Sequence, residues 1–513
     1  MSNRLYADMI RCLVFLIAVM FTCADKIGLS KLAPMGQHEP RNFSRKSTRI
    51  PVMEFVEQRL DNFNSNNDET WLMRYYRNDE FFVSGGPIFI FVGGQWPISG
   101  GLLLGGHMFD MAEELRGQMF YTEHRFYGFS HPTSDVSMEN LKYLNAEQAL
   151  ADLAHFIMHI RRSNPEFDQS PVILVGGAYG GNIVTWFRQK YPHLVTGAWA
   201  SSAPVLGQYN FNEYYEVVGA AIRHAGGESC FQRFAGAFRQ SEEFIALRRF
   251  TEFSNLFRTC EEINDENVFD VMEMFTILAA PLTRVIQYHR TGDINRVCDI
   301  LLNSTDETDI EAYGRWFTGH VFGDNDDDCV DFSFDNDVLL HRNTSWDSPA
   351  VRSNDRQWFY QTCTEFGWFR TTDSQFQPFG SSITIDYFLR FCSDVFGEMY
   401  AFVDLLNRSP NFFPYKFSFT AEKIQQNIER KNVLYGGLQP DVSNVYFTHG
   451  GMDPWRPMGI QSDLNSKSPA DVTPDGSHWQ DLNSGGPDDS PQMRAVRERI
   501  ISLVKIWTNT DGR

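Results

Sequence analysis

The chain is short of positive charge: 45 Lys and Arg stand against 65 Asp and Glu, a formal net charge of −20. A surface of that sign repels phosphate backbones and has no basic stripe, so nucleic-acid binding is excluded. The same acidity suits a protein that stays soluble in an acidic compartment, where part of the charge titrates away. No Cys-x-x-Cys spacing occurs among the 8 cysteines, which removes the common zinc sites. Long apolar runs are also missing: Cys12–Phe21 has ten residues, too few for a bilayer core of roughly 30 Å, so no membrane span is expected. The acidic run Asp324 to Asp328 alternates as calcium-loop ligands do. It carries Cys329 where the loop needs Gly and Asp335 where it needs Glu, so it reads as a solvated loop. Neither a metal nor a cofactor is implied, and no internal repeat or low-complexity tract stands out.

What is present is a large folded body. With 513 residues, 42% hydrophobic and 14% aromatic, the chain can bury a substantial core, and length alone favours two or three domains. Residues 1–24 read as a signal peptide: Arg4 and Arg11 lead, the apolar run follows, and Thr22-Cys23-Ala24 supplies small residues for cleavage. Cleavage leaves Cys230, Cys260, Cys298, Cys329, Cys363 and Cys392. Three disulfides are the economical reading, with about 15 pairings open. Asn42, Asn303 and Asn343 head glycosylation sequons and Asn407 heads a weaker one, in keeping with a secreted or lysosomal product.

After an N-terminal segment, 25–54, strand and helix alternate over 55–205, as a mostly parallel sheet requires. Pro87–Val92, Met119–Thr122 and Pro171–Val175 are apolar enough for buried strands. Ala146–Ile160 keeps helical spacing behind Asn145 as N-cap. Residues 206–414 hold all six remaining cysteines and aromatic-rich helical stretches, and read as an inserted helical domain. The sheet resumes in 415–513, with a strand at Asn444–Phe447 and a closing helix from Gln492 to Trp507.

The segment richest in chemical meaning is Val172-Ile-Leu-Val-Gly-Gly-Ala-Tyr-Gly-Gly181. A buried strand runs into a glycine turn and then a helix, the form of a nucleophile elbow, with Gly176 and Gly180 where Gly-x-Ser-x-Gly needs them. Alanine, Ala178, occupies the nucleophile position. A phosphate-binding turn would need a Lys-Ser/Thr pair or Gly-x-Gly-x-x-Gly, both absent here, and a purely structural turn remains the plain alternative. An acid and a histidine follow in the order this elbow uses: Asp453 in Thr448-His-Gly-Gly-Met-Asp-Pro-Trp455, and His478 in Pro474-Asp-Gly-Ser-His-Trp479. His478 would act as general base and acid, and Asp453 would fix its tautomer. Ser201 and Ser202, at the end of the next strand, lie off the elbow and are poor replacements for the missing hydroxyl.

These blocks, with Gln58–Phe63, Gly85–Gly94, Thr122–Gly128, Leu141–Leu144 and Trp186–His193, resemble the prolylcarboxypeptidase, dipeptidyl peptidase and thymus-specific serine protease family over nearly the whole mature chain. The thymus-specific type is nearest. The resemblance implies an α/β-hydrolase core with a disulfide-bonded helical cap. It implies exopeptidase action on short peptides, often with proline beside the cleaved bond, and an oxyanion hole from the N–H groups of Tyr179 and Gly94. It pairs Cys230 with Cys298, Cys260 with Cys329, and Cys363 with Cys392. Departures fall at the site: Ala178 stands for Ser, and Gln95 and Phe129 replace acidic residues where substrate should bind. Without the serine no acyl-enzyme forms. The expectation is an inactive or severely impaired homologue that binds short peptides, with a second copy of itself (a homo-oligomer) or an active relative as candidate protein partners. The alternative is an active serine carboxypeptidase or dipeptidyl peptidase.

Overall fold

The computed structural model of the chain describes residues 26–28, 46–304, 306–325, 327–397 and 419–509. The expected signal segment, Asn42 and Asn407 lie outside them. Eight strands form one sheet: β1 Val52–Arg59, β2 Thr70–Asn78, β3 Ile88–Val92, β4 Gln118–Thr122, β5 Val172–Gly177, β6 Gly197–Ser201, β7 Val445–Gly450 and β8 Ala470–Thr473. Their spatial order is β8-β7-β6-β5-β3-β4-β2-β1. All pairings from β4 through β8 are parallel, and β2 runs antiparallel to both its neighbours.

The central strands read as unbroken apolar runs because both faces are covered. Along β3, Ile88, Ile90 and Val92 point into one apolar cluster while Phe89 and Phe91 point into the other, as a period of two dictates. Helices α1 His107–Leu115 and α10 Pro491–Thr508 fill the second face with Met111, Ile500 and Val504. Helices α2 Ala146–Ser163 and α3 Tyr179–Lys190 cover the first. The Asn145 side chain caps α2 by accepting the Gln148 N–H. This is an α/β-hydrolase core.

Between β6 and β7 the chain leaves the sheet and builds a helical cap. Its members include α4 Glu213–Ala246, kinked at Gly227, α5 Val268–Gln287, α6 Phe334–Arg342, α7 Asp355–Gln361 and α8 Ile385–Phe396. Helix α9 Ala421–Tyr435 joins them through the Lys431–Glu365 ion pair, so the helical insertion runs past the expected boundary at 414 into the segment expected to belong to the core. Three disulfides staple it, Cys230–Cys298, Cys260–Cys329 and Cys363–Cys392, the pairs implied by the resemblance. The cap's aromatic core, with Phe234, Phe238, Tyr313 and Phe391, is continuous with the apolar cluster on the first face of the sheet. Cap and core therefore share buried surface. Among the described residues no helix is long and apolar enough to cross a membrane.

Several of the sequence blocks quoted above prove to be joints between layers. Arg125, in the turn that follows β4, is fully buried and grips Asp152 of α2 through Nε (2.6 Å) and Nη2 (2.7 Å). It also donates to the carbonyls of Leu60 and Tyr143, and Asn62 adds a bond to Asp152 (2.9 Å). The fork of the guanidinium matches a carboxylate, which is why such a joint takes Arg.

Candidate active site

The elbow begins where β5 ends. Ala178 has φ 49° and ψ −126°, in a region costly for any residue with a Cβ, on the order of 1–3 kcal/mol. The surroundings hold it there: its N–H donates to the Ser201 carbonyl (2.9 Å), and its own carbonyl accepts the Gly181 N–H (2.8 Å). The flanking glycines are steric necessities. A Cβ on Gly176 would sit 2.3 Å from the Gly180 carbonyl oxygen, and one on Gly180 would sit 2.5 Å from that of Val92. The turn therefore keeps the strained form of an elbow with a methyl group at its tip.

Asp453 lies in the turn after β7 and His478 in the loop after β8. These loops close on each other because Gly450 and Gly451 leave no side chain between them. A Cβ on Gly450 would lie 2.3 Å from the Gly476 carbonyl oxygen, and one on Gly451 would lie 2.2 Å from that of Pro474. Gly451 N–H donates to Thr473 and Met452 N–H to Gly476, stitching the loops together. Nδ1–H of His478 then donates to Asp453 Oδ2 at 2.8 Å. The ionised carboxylate can only accept, which fixes the tautomer. The other oxygen, Oδ1, accepts the Trp455 N–H at 3.0 Å.

Both side chains are fully buried. Burial alone works against ionisation of Asp453, but the charge and hydrogen bond of His478 and the Trp455 N–H outweigh it and hold the carboxyl below its ordinary range. Nε2 of His478 is buried without a partner. The histidine loop is fixed from two directions. Trp479 N–H donates to Ser202 Oγ (2.9 Å), and the Trp479 ring packs so closely on Gly177 that a Cβ there would lie 2.1 Å from it. From the cap, the carbonyl of Gln287 accepts the His478 N–H (2.9 Å), and the Tyr288 ring stands edge-on at 5.8 Å.

The elbow, Asp453 and His478 are thus brought to the carboxyl ends of β5, β7 and β8, where open α/β sheets place their sites. The hydroxyls considered as substitutes are committed elsewhere: Ser201 donates to Asp481 (2.5 Å) and Ser202 Oγ accepts from Trp479. In the Gly93-Gly94 turn, the Gly93 N–H is engaged by Thr122 (2.9 Å), while Tyr179 opens α3. Gln95 is buried and its Oε1 has no partner. Phe129 is 67% exposed and its ring covers Arg74 at 4.5 Å, outside the buried Arg74–Glu123 ion pair.

Two features escaped sequence reasoning. His449, on β7, is a second buried histidine beside Asp453, and burial pushes its pKa down to about 4. It sits inside the quoted Thr448–Trp455 block but carries no spacing signal. Behind the elbow, the Tyr179 hydroxyl donates to His124 Nε2 (3.3 Å) and accepts from Gln361 Nε2 (3.0 Å). Gln361 also accepts from Tyr127 (2.6 Å) and donates to Glu365 (2.9 Å), which pairs with Lys431 (2.5 Å). The network ties the first residue of α3 to α7 and α9 of the cap. It joins residues too far apart in the chain to be paired by inspection.

The fold and the site together define an α/β-hydrolase of peptidase type with a helical cap. The chain belongs to the serine carboxypeptidase S28 family, whose model matches residues 58–500. It is similar to the thymus-specific serine protease of Mus musculus, 30% identical over 89% of this chain and 88% of that one, and to its Homo sapiens counterpart, 30% identical over 89% and 87%. It is also 26% identical to the lysosomal Pro-X carboxypeptidase of Homo sapiens, over 88% of this chain and 87% of the relative.

Proposed function

We propose that this protein is a peptidase frame disarmed at Ala178, which binds short peptides, proline-containing ones among them, and does not cut them. The observation that carries the reading is the alanine at the strained elbow tip, φ 49°, together with a histidine, on a loop packed against that elbow, whose Nε2 is buried and unpartnered. In this reading His478 and Asp453 keep the roles of base and orienter, and the N–H groups of Tyr179 and Gly94 face a bound carbonyl. Gln95 and Phe129 contribute to a less acidic binding surface. No acyl-enzyme forms, because Ala178 has no atom that can attack.

The protein travels the secretory route to the lysosome or the cell exterior. Three disulfides suit an oxidising compartment, and Asn303 and Asn343 are exposed where glycans would be attached. A fluorophosphonate probe tests the central point. The chain should remain unlabelled and the Ala178→Ser variant should label in proportion to active sites. Labelling of the unaltered chain overturns the reading.

A further inference from the structure

The peptide-binding reading leaves open what the elbow holds, and the site's polar groups narrow the answer. With Nδ1 of His478 committed to Asp453, Nε2 lies on the opposite edge of the ring, buried and unpartnered. Its loop is fixed to the elbow, since Trp479 packs on Gly177 and bonds to Ser202. Leaving such a group unsatisfied carries a desolvation cost, which a ligand can recover. Ala178 cannot engage it, and Ser201 is bound to Asp481.

The elbow to which that loop is fixed is also the N-terminus of α3, a helix of 12 residues with no acidic residue in its first turn. Its carbonyl partners begin with Ala178, which accepts from Gly181 and Asn182, so the N–H groups of Tyr179 and Gly180 have no acceptor within the helix. N–H groups at a helix start favour negative charge. At Gln95 and Phe129 the resemblance has acids that would repel an anion, and this chain has neutral side chains.

From this geometry, and resting on the peptide-binding reading, we propose that the elbow is a receptor for the C-terminal carboxylate of a short peptide, held between the first N–H groups of α3 and protonated His478. The ligand is thus the acid that peptide-bond hydrolysis releases, rather than a peptide whose bond still spans the site. The groups facing His478 permit its positive charge. Asp453 is ionised and stabilises the imidazolium. His449 is kept neutral by burial, and Tyr288 is kept protonated by burial, its pKa well above the usual phenol range. Binding takes up one proton wherever His478 is neutral in the free protein. Affinity then falls up to about tenfold for each unit of rising pH.

The test uses the full chain and one proline-containing tripeptide, as free acid and as C-terminal amide, titrated calorimetrically at about pH 5 and about pH 7.5. We expect the acid to bind at least about tenfold tighter than the amide at the lower pH, and to lose most of that advantage at the higher one. His478→Gln should abolish the difference between acid and amide. Gln95→Glu, which restores the acid the resemblance has at that position and leaves His478 in place, should weaken binding of the acid more than binding of the amide. Equal binding of acid and amide at both pH values overturns the carboxylate proposal and leaves peptide binding standing. Binding of neither form by the chain, with the Ala178→Ser variant also inert on the same peptide, overturns both.

Discussion

The core and the cap each bury an aspartate beside a histidine, and the two pairs treat charge in opposite ways. In the core, Asp453 receives two N–H groups, from His478 Nδ1 (2.8 Å) and Trp455 (3.0 Å), and is held below the ordinary carboxyl range. In the cap, Asp337 and His341 lie one turn apart on α6, 3.5 Å from each other, but His341 Nδ1 bonds to the Asp337 carbonyl (2.8 Å) instead of its carboxylate. Asp337 Oδ2 and His341 Nε2 are buried without partners, as is Oε1 of Glu273 on α5, whose other oxygen accepts from Tyr387 of α8 (2.6 Å). Burial pushes both Asp337 and Glu273 up, and the charge of Asp337 adds to the effect on Glu273. Burial is common to the two pairs. What differs is the supply of fixed N–H donors, and that decides which acid is ionised.

The comparison can be broken most dramatically at the core. Ala178→Ser should raise hydrolysis of susceptible peptides by on the order of 10⁶, the factor by which serine proteases fall when the nucleophile is removed; steady-state kinetics reads it. Within that variant, Asp453→Asn should lower kcat by on the order of 10⁴, because the amide no longer fixes the tautomer of His478. An unchanged kcat would separate Asp453 from the chemistry.

In the cap the expected effects are on stability. Replacing Cys363 and Cys392 by Ala opens a loop of sequence separation 29 and should cost roughly 2–4 kcal/mol, read by denaturant unfolding. A smaller effect should appear with Glu273→Gln combined with Asp337→Asn. A carboxyl whose folded pKa is raised favours the proton-bound folded state, so its stabilising contribution is complete below about pH 4 and is lost as pH rises through the folded value. Asp453, with a lowered pKa, behaves oppositely and loses its contribution as pH falls. The double variant should therefore gain a few degrees of Tm at about pH 7.5 and change little near pH 4. A gain confined to acid pH would reverse the assignment.

The parts of the fold legible in the sequence were those with local signals. The apolar runs of β3, β4 and β5 and the glycine turn at 176–181 announce the elbow by themselves, and the periodicity of α2 and α10 places them within a few residues. The antiparallel β1–β2 pair was not legible, because β1 keeps Met53, Phe55 and Glu57 on a solvent-facing side and lacks a continuous buried run. β8 has four residues, too few for a pattern. Asp453 and His478 were legible through the blocks around them; why they meet was not, since the close packing of Gly450 and Gly451 against residues 474–477 is a tertiary fact. The acid cluster at Glu273 and the network through Gln361 depend on pairings between distant helices, for which sequence spacing gives no cue.

The most direct test of the account is hydrolysis of a panel of short proline-containing peptides, near pH 5 and near pH 7, by the purified chain and its Ala178→Ser variant side by side. The account predicts cleavage by the variant alone. Cleavage by the unaltered chain would contradict it, and would mean that the nucleophile lies somewhere other than position 178.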